Sequence, residues 1–223
     1  MSIFVELFGE FYGEILEVVF LSIFVSLTST FIASVVGIGL AVPTALKKFK
    51  LKKYIVRLSE TLMSIPPVLM GLLVYLLLSR KGPLGSLELL FTPTAMIIAQ
   101  SLLVFPIIFG LTVSTIGKNG KEIEKTCISL GAGKRETLIT VVKECKTQLL
   151  SVVAAGFGRA ISEVGAVMMV GGNIRGATRV MTTYIALETG KGNFQEAILI
   201  GLVLLTVAFF INFILHRFKE ERE

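Results

Sequence analysis

The sequence predicts an all-α integral membrane protein of about five transmembrane helices, and three observations carry that expectation. Of its 223 residues, 53% are hydrophobic and 17% charged, with a mean hydropathy of +0.81, unlike an ordinary water-soluble domain. The apolar residues fall into runs near the ~20 residues a helix needs to cross a bilayer. Lysine and arginine gather beside alternate runs rather than evenly along the chain.

Taken in order, residues 1–16 place Phe4, Phe8, Phe11, Tyr12 and Ile15 on one helical face, with the glutamates largely elsewhere. That pattern predicts an amphipathic helix lying in the membrane interface. Glutamates at 6, 10, 14 and 17, with no basic segment and no small-residue cleavage site, argue against a secretory signal. The first span is expected over 17–46. At about 1.5 Å per residue it is roughly 45 Å long, more than the ~30 Å hydrocarbon core. One tilted, protruding helix is preferred to a break near Gly37, Gly39 and Pro43.

The second span, 62–79, carries Pro66 and Pro67 near its start, where proline biases its predecessor away from helix and predicts a kink or irregular segment. The third, 94–116, contains Gln100 and a central Pro106, again a predicted kink. A fourth span is expected over 149–171 and a fifth over 197–215. His216 then reads as an interfacial residue rather than a catalyst. With no internal repeat and no low-complexity tract, residues 1–223 read as a single membrane domain.

Five spans put the termini on opposite sides. The segments 47–57, 117–148 and 216–223 hold 16 of the 22 basic residues, and the intervening outer segments hold five. The positive-inside rule then predicts an outer N-terminus, a cytoplasmic C-terminus and a cytoplasmic 117–146 loop. The net charge of +6 belongs with these membrane-flanking clusters, so lipid and topology account for it better than nucleic acid.

The loop 117–146 is a polar island. Glu122, Glu124 and Lys125 open a short helix with Ile123, Cys127, Ile128 and Leu130 as its apolar positions. Gly131, followed by Gly133, is expected to end it, because glycine takes the left-handed conformation common at helix C-termini. A second helix with Leu138, Ile139, Val141 and Val142 follows. Two readings stand: a knob that fits a socket on another protein, or a basic loop without a partner.

The chemistry of an enzyme is not visible. Gly171-Gly172-Asn173-Ile174-Arg175-Gly176-Ala177-Thr178 has the outline of a phosphate loop, but Ala177 stands where a lysine must reach the phosphates. No Ser/His/Asp, His/Cys or paired-acid arrangement shares a face, so no catalytic residue is expected. Cys127 and Cys145 fit no metal or redox spacing, and no metal site is expected. In the fourth span Gly156, Gly158, Ser162, Gly165 and Ala166 let another helix approach closely. Arg159 and Glu163 lie four apart, so one continuous helix would bring them onto neighbouring turns. Ionised groups there cost about 2.5–3.5 kcal/mol each against lipid, so they must face inward. They either lock the bundle as a satisfied pair or border a hydrated anion path.

The segment Glu124-Lys125-Thr126-Cys127-Ile128-Ser129-Leu130-Gly131-Ala132 resembles the EAA loop of ATP-binding-cassette importer permeases, with Thr126 and Cys127 where that family usually has alanines. Ser64-Ile65-Pro66-Pro67-Val68 and Gly156 through Ala166 resemble the molybdate and tungstate permeases, and Met168 through Ile174 resembles the tungstate type. The resemblance implies a membrane permease whose ATPase-coupling residues are Glu124, Thr126, Cys127, Leu130, Gly131, Ala132 and Gly133. Arg159, Ser162, Glu163 and Asn173 are the candidates for the translocation path or for an intramembrane pair. The resemblance further implies a homodimer, two cytosolic ATPase subunits that bind ATP and Mg, and an extracytoplasmic oxyanion-binding protein. This chain itself would bind no cofactor. A permease for sulfate or another small anion is the alternative within the class. An ATP-independent channel or carrier is the alternative outside it.

Overall fold

The computed structural model describes the backbone of residues 2–47 and 49–220, and the side chains of these except 2–12, 215, 216 and 218–220. It contains nine helices among the described residues and no strand. They are α1 (Ser2–Leu46), α2 (Lys52–Met63), α3 (Pro67–Leu78), α4 (Pro93–Ser129), α5 (Lys134–Glu144), α6 (Lys146–Ile161), α7 (Gly165–Gly171), α8 (Met181–Lys191) and α9 (Phe194–Glu220). A short 3₁₀ turn, Gly85–Leu87, lies between α3 and α4. Three segments are long and apolar enough to cross a membrane: Gly13–Leu46, Pro93–Ser129 and Phe194–Ile214. The count reaches five if the interrupted pairs α2 with α3 and α6 with α7 each make one span.

Several expected boundaries change. The backbone of α1 is continuous from Ser2 through Pro43 to Leu46, so no break separates an interfacial segment 1–16 from the span. The amphipathic face proposed for that segment rests largely on side chains outside the described residues, as does the interfacial role of His216. The separate short helix expected at 122–130 is instead the end of α4, which runs on past 116 without a helix stop until Ser129. Pro106 is buried inside this uninterrupted helix. Its carbonyl accepts a 3.0 Å hydrogen bond from the Ser59 hydroxyl of α2. Pro66 and Pro67 mark a true interruption: Pro66 is extended (φ −60, ψ 130) and Pro67 is the first residue of α3. Proline suits that position because its missing N–H would have had no helical partner there.

The chain forms two compact units. The first comprises Met1–Ser29, Pro66–Gln100 and Ala160–Phe210. Its core joins Val25 of α1, Val74 and Leu78 of α3, Ala95, Met96 and Ala99 of α4, and Ala166, Val167 and Val170 of α7. Lipid is as apolar as these side chains, so close packing and hydrogen bonds must supply the specificity. A side chain at Gly71 would place its Cβ 2.7 Å from the Cα of Ala166, and one at Gly165 would place it 2.6 Å from Val68 Cγ2. Helices α3 and α7 thus meet at van der Waals contact, small residue against small residue.

The second unit comprises Thr30–Ile65, Ser101–Arg159 and Ile211–Glu223. Ala41, Val42 and Ala45 of α1, Phe109, Val113 and Ile116 of α4, Val141 of α5, Cys145 and Leu149 of α6 form its core. Gly156 abuts Ile108 and Val104 of α4. Of the small residues expected to form one stripe on the fourth span, Gly156 thus serves α4 while Gly165 and Ala166 serve α3. The reason is that the helix stops at Ile161 and restarts at Gly165.

Candidate functional site

The end of α4 is closed by a Schellman turn. The Ala132 amide donates to the Cys127 carbonyl at 3.0 Å and the Gly131 amide to the Ile128 carbonyl at 3.0 Å. Those two bonds need a left-handed residue between them, and Gly131 has φ +80. Gly133 then opens α5 in an extended conformation (φ −68, ψ 163). Its amide is capped by Glu136 Oε2 at 2.8 Å, which satisfies a donor that the first helical turn leaves open. Chain direction thus reverses over about four residues, each backbone demand met locally.

What the turn presents differs in part from expectation. Leu130 is 81% exposed and Ile128 62% exposed, with Thr126, Gly131 and Gly133 also at the surface. Glu124 and Ala132 are half-buried. Cys127 is buried, so it does not lie on the presented surface; it points with Ile123 toward the interior. Burial also raises the Cys145 thiol pKa, and the nearby Glu144 adds to the effect. Val141 and Cys145 are buried in the second unit's core, so the helix after the turn is anchored. Ile139 on α5 is 45% exposed.

The second candidate site lies in the first unit, where the fourth apolar run is interrupted at Ser162–Val164. Interrupting a helix frees carbonyls and amides that must find partners away from water. The Ala160 carbonyl accepts from Gln100 Nε2 at 3.1 Å and from the Glu163 amide at 3.1 Å. Gln100 is itself held by the Ser29 hydroxyl, which donates to its Oε1 at 2.9 Å. The Glu163 carbonyl accepts from the Thr182 hydroxyl at 2.8 Å. The Glu163 carboxylate, in a residue 3% exposed, accepts from the Ala166 amide at 2.9 Å and so caps α7.

The expectation of one continuous helix through Arg159 and Glu163 is corrected, because α6 ends at Ile161. Arg159 ends its turn in α6, whereas Glu163 lies beyond the helix in the interruption. Ser162 is exposed within that interruption. Asn173, just after α7, has φ +52, and its buried Oδ1 has no hydrogen-bond partner. Sequence reasoning named Gln100 without giving it a part; a lone amide in an apolar span was the available signal. Ser29 and Thr182 gave none, since short hydroxyl residues are common in spans.

Near the start of α1, Glu14 receives Arg175 Nη2 at 2.7 Å and Arg179 Nη1 at 2.6 Å. The Arg179 guanidinium lies 5.5 Å from the Tyr184 ring centroid. Burial, then Glu196, Glu14 and Glu188, push the Tyr184 phenol up to about 12. Glu188, buried in α8, takes hydrogen bonds of 2.7 Å from Lys191 and from Asn193, which hold its carboxyl below the usual range. Among the described residues no group of three His, Cys, Asp or Glu is placed to hold a metal.

The cap on α7 makes a prediction. Glu163→Ala leaves the buried Ala166 amide unpaired, which typically costs about 1–3 kcal/mol. The purified protein should melt at a clearly lower temperature, while Glu163→Gln, which keeps a carbonyl oxygen, should recover most of the loss. Equal losses would mean that the carboxylate's charge, not its cap, is what the position requires.

Three to five segments long and apolar enough to cross a bilayer, packed through small residues, define a multi-pass helical membrane protein. Residues 33–221 match the family described as the binding-protein-dependent transport system inner membrane component, and the chain belongs to that family. It is a multi-pass inner membrane component of a transport system, not an enzyme. Among its relatives, the tungstate uptake system permease protein TupB of Peptoclostridium acidaminophilum is 49% identical over 97% of this chain and 95% of its own length. The TupB of Campylobacter jejuni is 42% identical over 77% of this chain and 72% of its own. A probable anion ABC transporter permease protein of Haloferax volcanii is 34% identical over 89% of this chain and 88% of its own.

Proposed function

We propose that this chain is the permease of a tungstate importer, with molybdate the second cargo, and that it supplies the path while separate subunits hydrolyse ATP. The observation that carries the coupling half of this reading is the Schellman turn at Gly131, which exposes Ile128 and Leu130 between two anchored helices. An exposed apolar knob on a rigid base suits a socket in an ATPase, which can push on it without deforming it. The names of the relatives at 49% and 42% identity support the cargo. The charge asymmetry supports an outer N-terminus and a cytoplasmic C-terminus and loop. In this reading the permease is a homodimer carrying two ATPase subunits inside and meeting an oxyanion-binding protein outside. ATP and Mg belong to the ATPase, since Ala177 replaces the lysine that a phosphate loop requires. The interruption at Ser162–Val164, which holds the buried Glu163, is the part of the chain proposed to border the path. A modest charge there suits cargo that must leave again.

Reconstitution with its ATPase and binding protein should give tungstate uptake that requires ATP. Uptake of sulfate in preference to tungstate would move the cargo to the sulfate alternative, and uptake without ATP would overturn the importer reading. The orientation has its own test. A reporter active only in the cytoplasm should work when fused after Gly133 and fail when fused after Gly176. The reverse pattern would place the knob away from ATP.

A further inference from the structure

Helix α2 has three distinct sides, and only one of them is occupied by the second unit. Val56 packs against that unit's core, Ser59 is buried and bonds Pro106, and Met63 Sδ lies where a Cβ on Gly110 would meet it at 3.2 Å. At 3.6 residues per turn, Tyr54, Ile55 and Leu58 fall together on a second side, with Leu51 just before the helix. These four are 68%, 39%, 60% and 64% exposed. On the third side Lys53 and Arg57 are exposed, and with Lys50 they line a shallow groove beside Phe49 and Glu60.

An apolar side next to a cationic side, on a helix already docked along its third, has one environment that satisfies all three: the plane of an anionic bilayer surface. The position in the chain agrees, because α2 lies directly between the end of the first membrane-crossing segment and the apolar α3. Charge selects among occupants. A second copy would bring the same cationic side to the contact, whereas phospholipid phosphates are complementary to it. We propose that α2 is an interfacial helix that docks on anionic phospholipid, with Leu51, Tyr54, Ile55 and Leu58 in the upper acyl region and Lys50, Lys53 and Arg57 on headgroup phosphates. The proposal rests on the chain being a membrane protein, takes α3 rather than α2 as the membrane-inserted half of their bent pair, and is independent of the cargo.

The chain contains no tryptophan, so a single substitution gives an unambiguous optical reporter. The full chain carrying Tyr54→Trp, or Leu58→Trp as a second site, is reconstituted in phosphatidylcholine vesicles with and without phosphatidylglycerol, using brominated acyl chains as quenchers. Both positions are exposed, so neither change removes packing. Blue-shifted emission with strong quenching by the brominated lipid is the expected result. Water-like, unquenched emission overturns the proposal, and so does blue-shifted emission that brominated lipid fails to quench, which would mean a protein covers the face. In parallel, native mass spectrometry compares phosphatidylglycerol retained by the wild type, by Lys53→Gln/Arg57→Gln and by Arg80→Gln/Lys81→Gln. A basic residue at an anionic surface is worth about a factor of five, so the first pair should weaken retention about tenfold or more. The second pair should leave it near wild type, and equal losses in the two variants would again overturn the assignment.

Discussion

Gly71→Val should abolish accumulation of folded permease. At this position the added Cβ would lie 2.7 Å from Ala166 Cα, 3.0 Å from Met169 Cβ and 3.1 Å from the Ala166 carbonyl oxygen. The first and third of these are backbone atoms, so no rotamer change on α7 relieves the collision; α3 and α7 must separate. Overpacking a core typically costs about 1–3 kcal/mol even when side chains can move, so a backbone collision belongs at or beyond the upper end. Separation would also open the cluster of Val74, Leu78, Ala166, Val167 and Val170, which are all buried at this contact. Within a membrane, where lipid competes equally for apolar side chains, close approach is the main source of helix affinity. Detergent extraction and size-exclusion chromatography should show loss of the monodisperse peak and faster proteolysis. Gly39→Ala is the control, because a Cβ there meets nothing within 4 Å. Normal yield of Gly71→Val would mean that α3 and α7 do not pack as closely as described.

Gly131→Val should leave the permease abundant and remove its control over ATP hydrolysis. Here the space is open, with nothing within 4 Å of an added Cβ, and the objection is conformational. A φ of +80 costs an ordinary residue roughly 1–2 kcal/mol, and a β-branched one more. That penalty is small beside the stability of the whole chain, whose membrane-crossing segments do not depend on it. It is large for the turn, which can escape it by giving up the bonds to Cys127 and Ile128 that fix Leu130 in place. Binding-protein-stimulated ATP hydrolysis in liposomes should fall to the unstimulated level, and the ATPase should copurify less. Gly131→Asn, which tolerates the left-handed region, should restore much of both. Normal coupling in Gly131→Val would make Gly131 an ordinary surface glycine and would falsify the assignment of the knob. The two valines thus separate crowding from backbone strain: one is expected to lose the protein and the other only its coupling.

The sequence by itself determined the class, the number of apolar runs and the place of the helix-reversing turn. These are local properties. Hydropathy sums over one run, a proline acts on its neighbours, and a Schellman turn needs only its own few residues with glycine at the left-handed position. The interruption at Ser64–Pro66 and the reversal at Gly131 were legible for that reason. Continuity was less so: α4 runs to Ser129 because polar residues at 117–129 are good enough helix formers once the apolar part has nucleated the helix. The tertiary structure alone decided that the fourth run stops at Ile161. Gln100 reaches the Ala160 carbonyl from sixty residues away and Thr182 reaches the Glu163 carbonyl. Without those partners the helix's own hydrogen bonds would be the better bargain, and the helix would run on past Ile161. Cys127 turned inward and α2 became three-sided for the same reason. A side chain's surroundings depend on which distant segment packs against it, and spacing along the chain does not encode that.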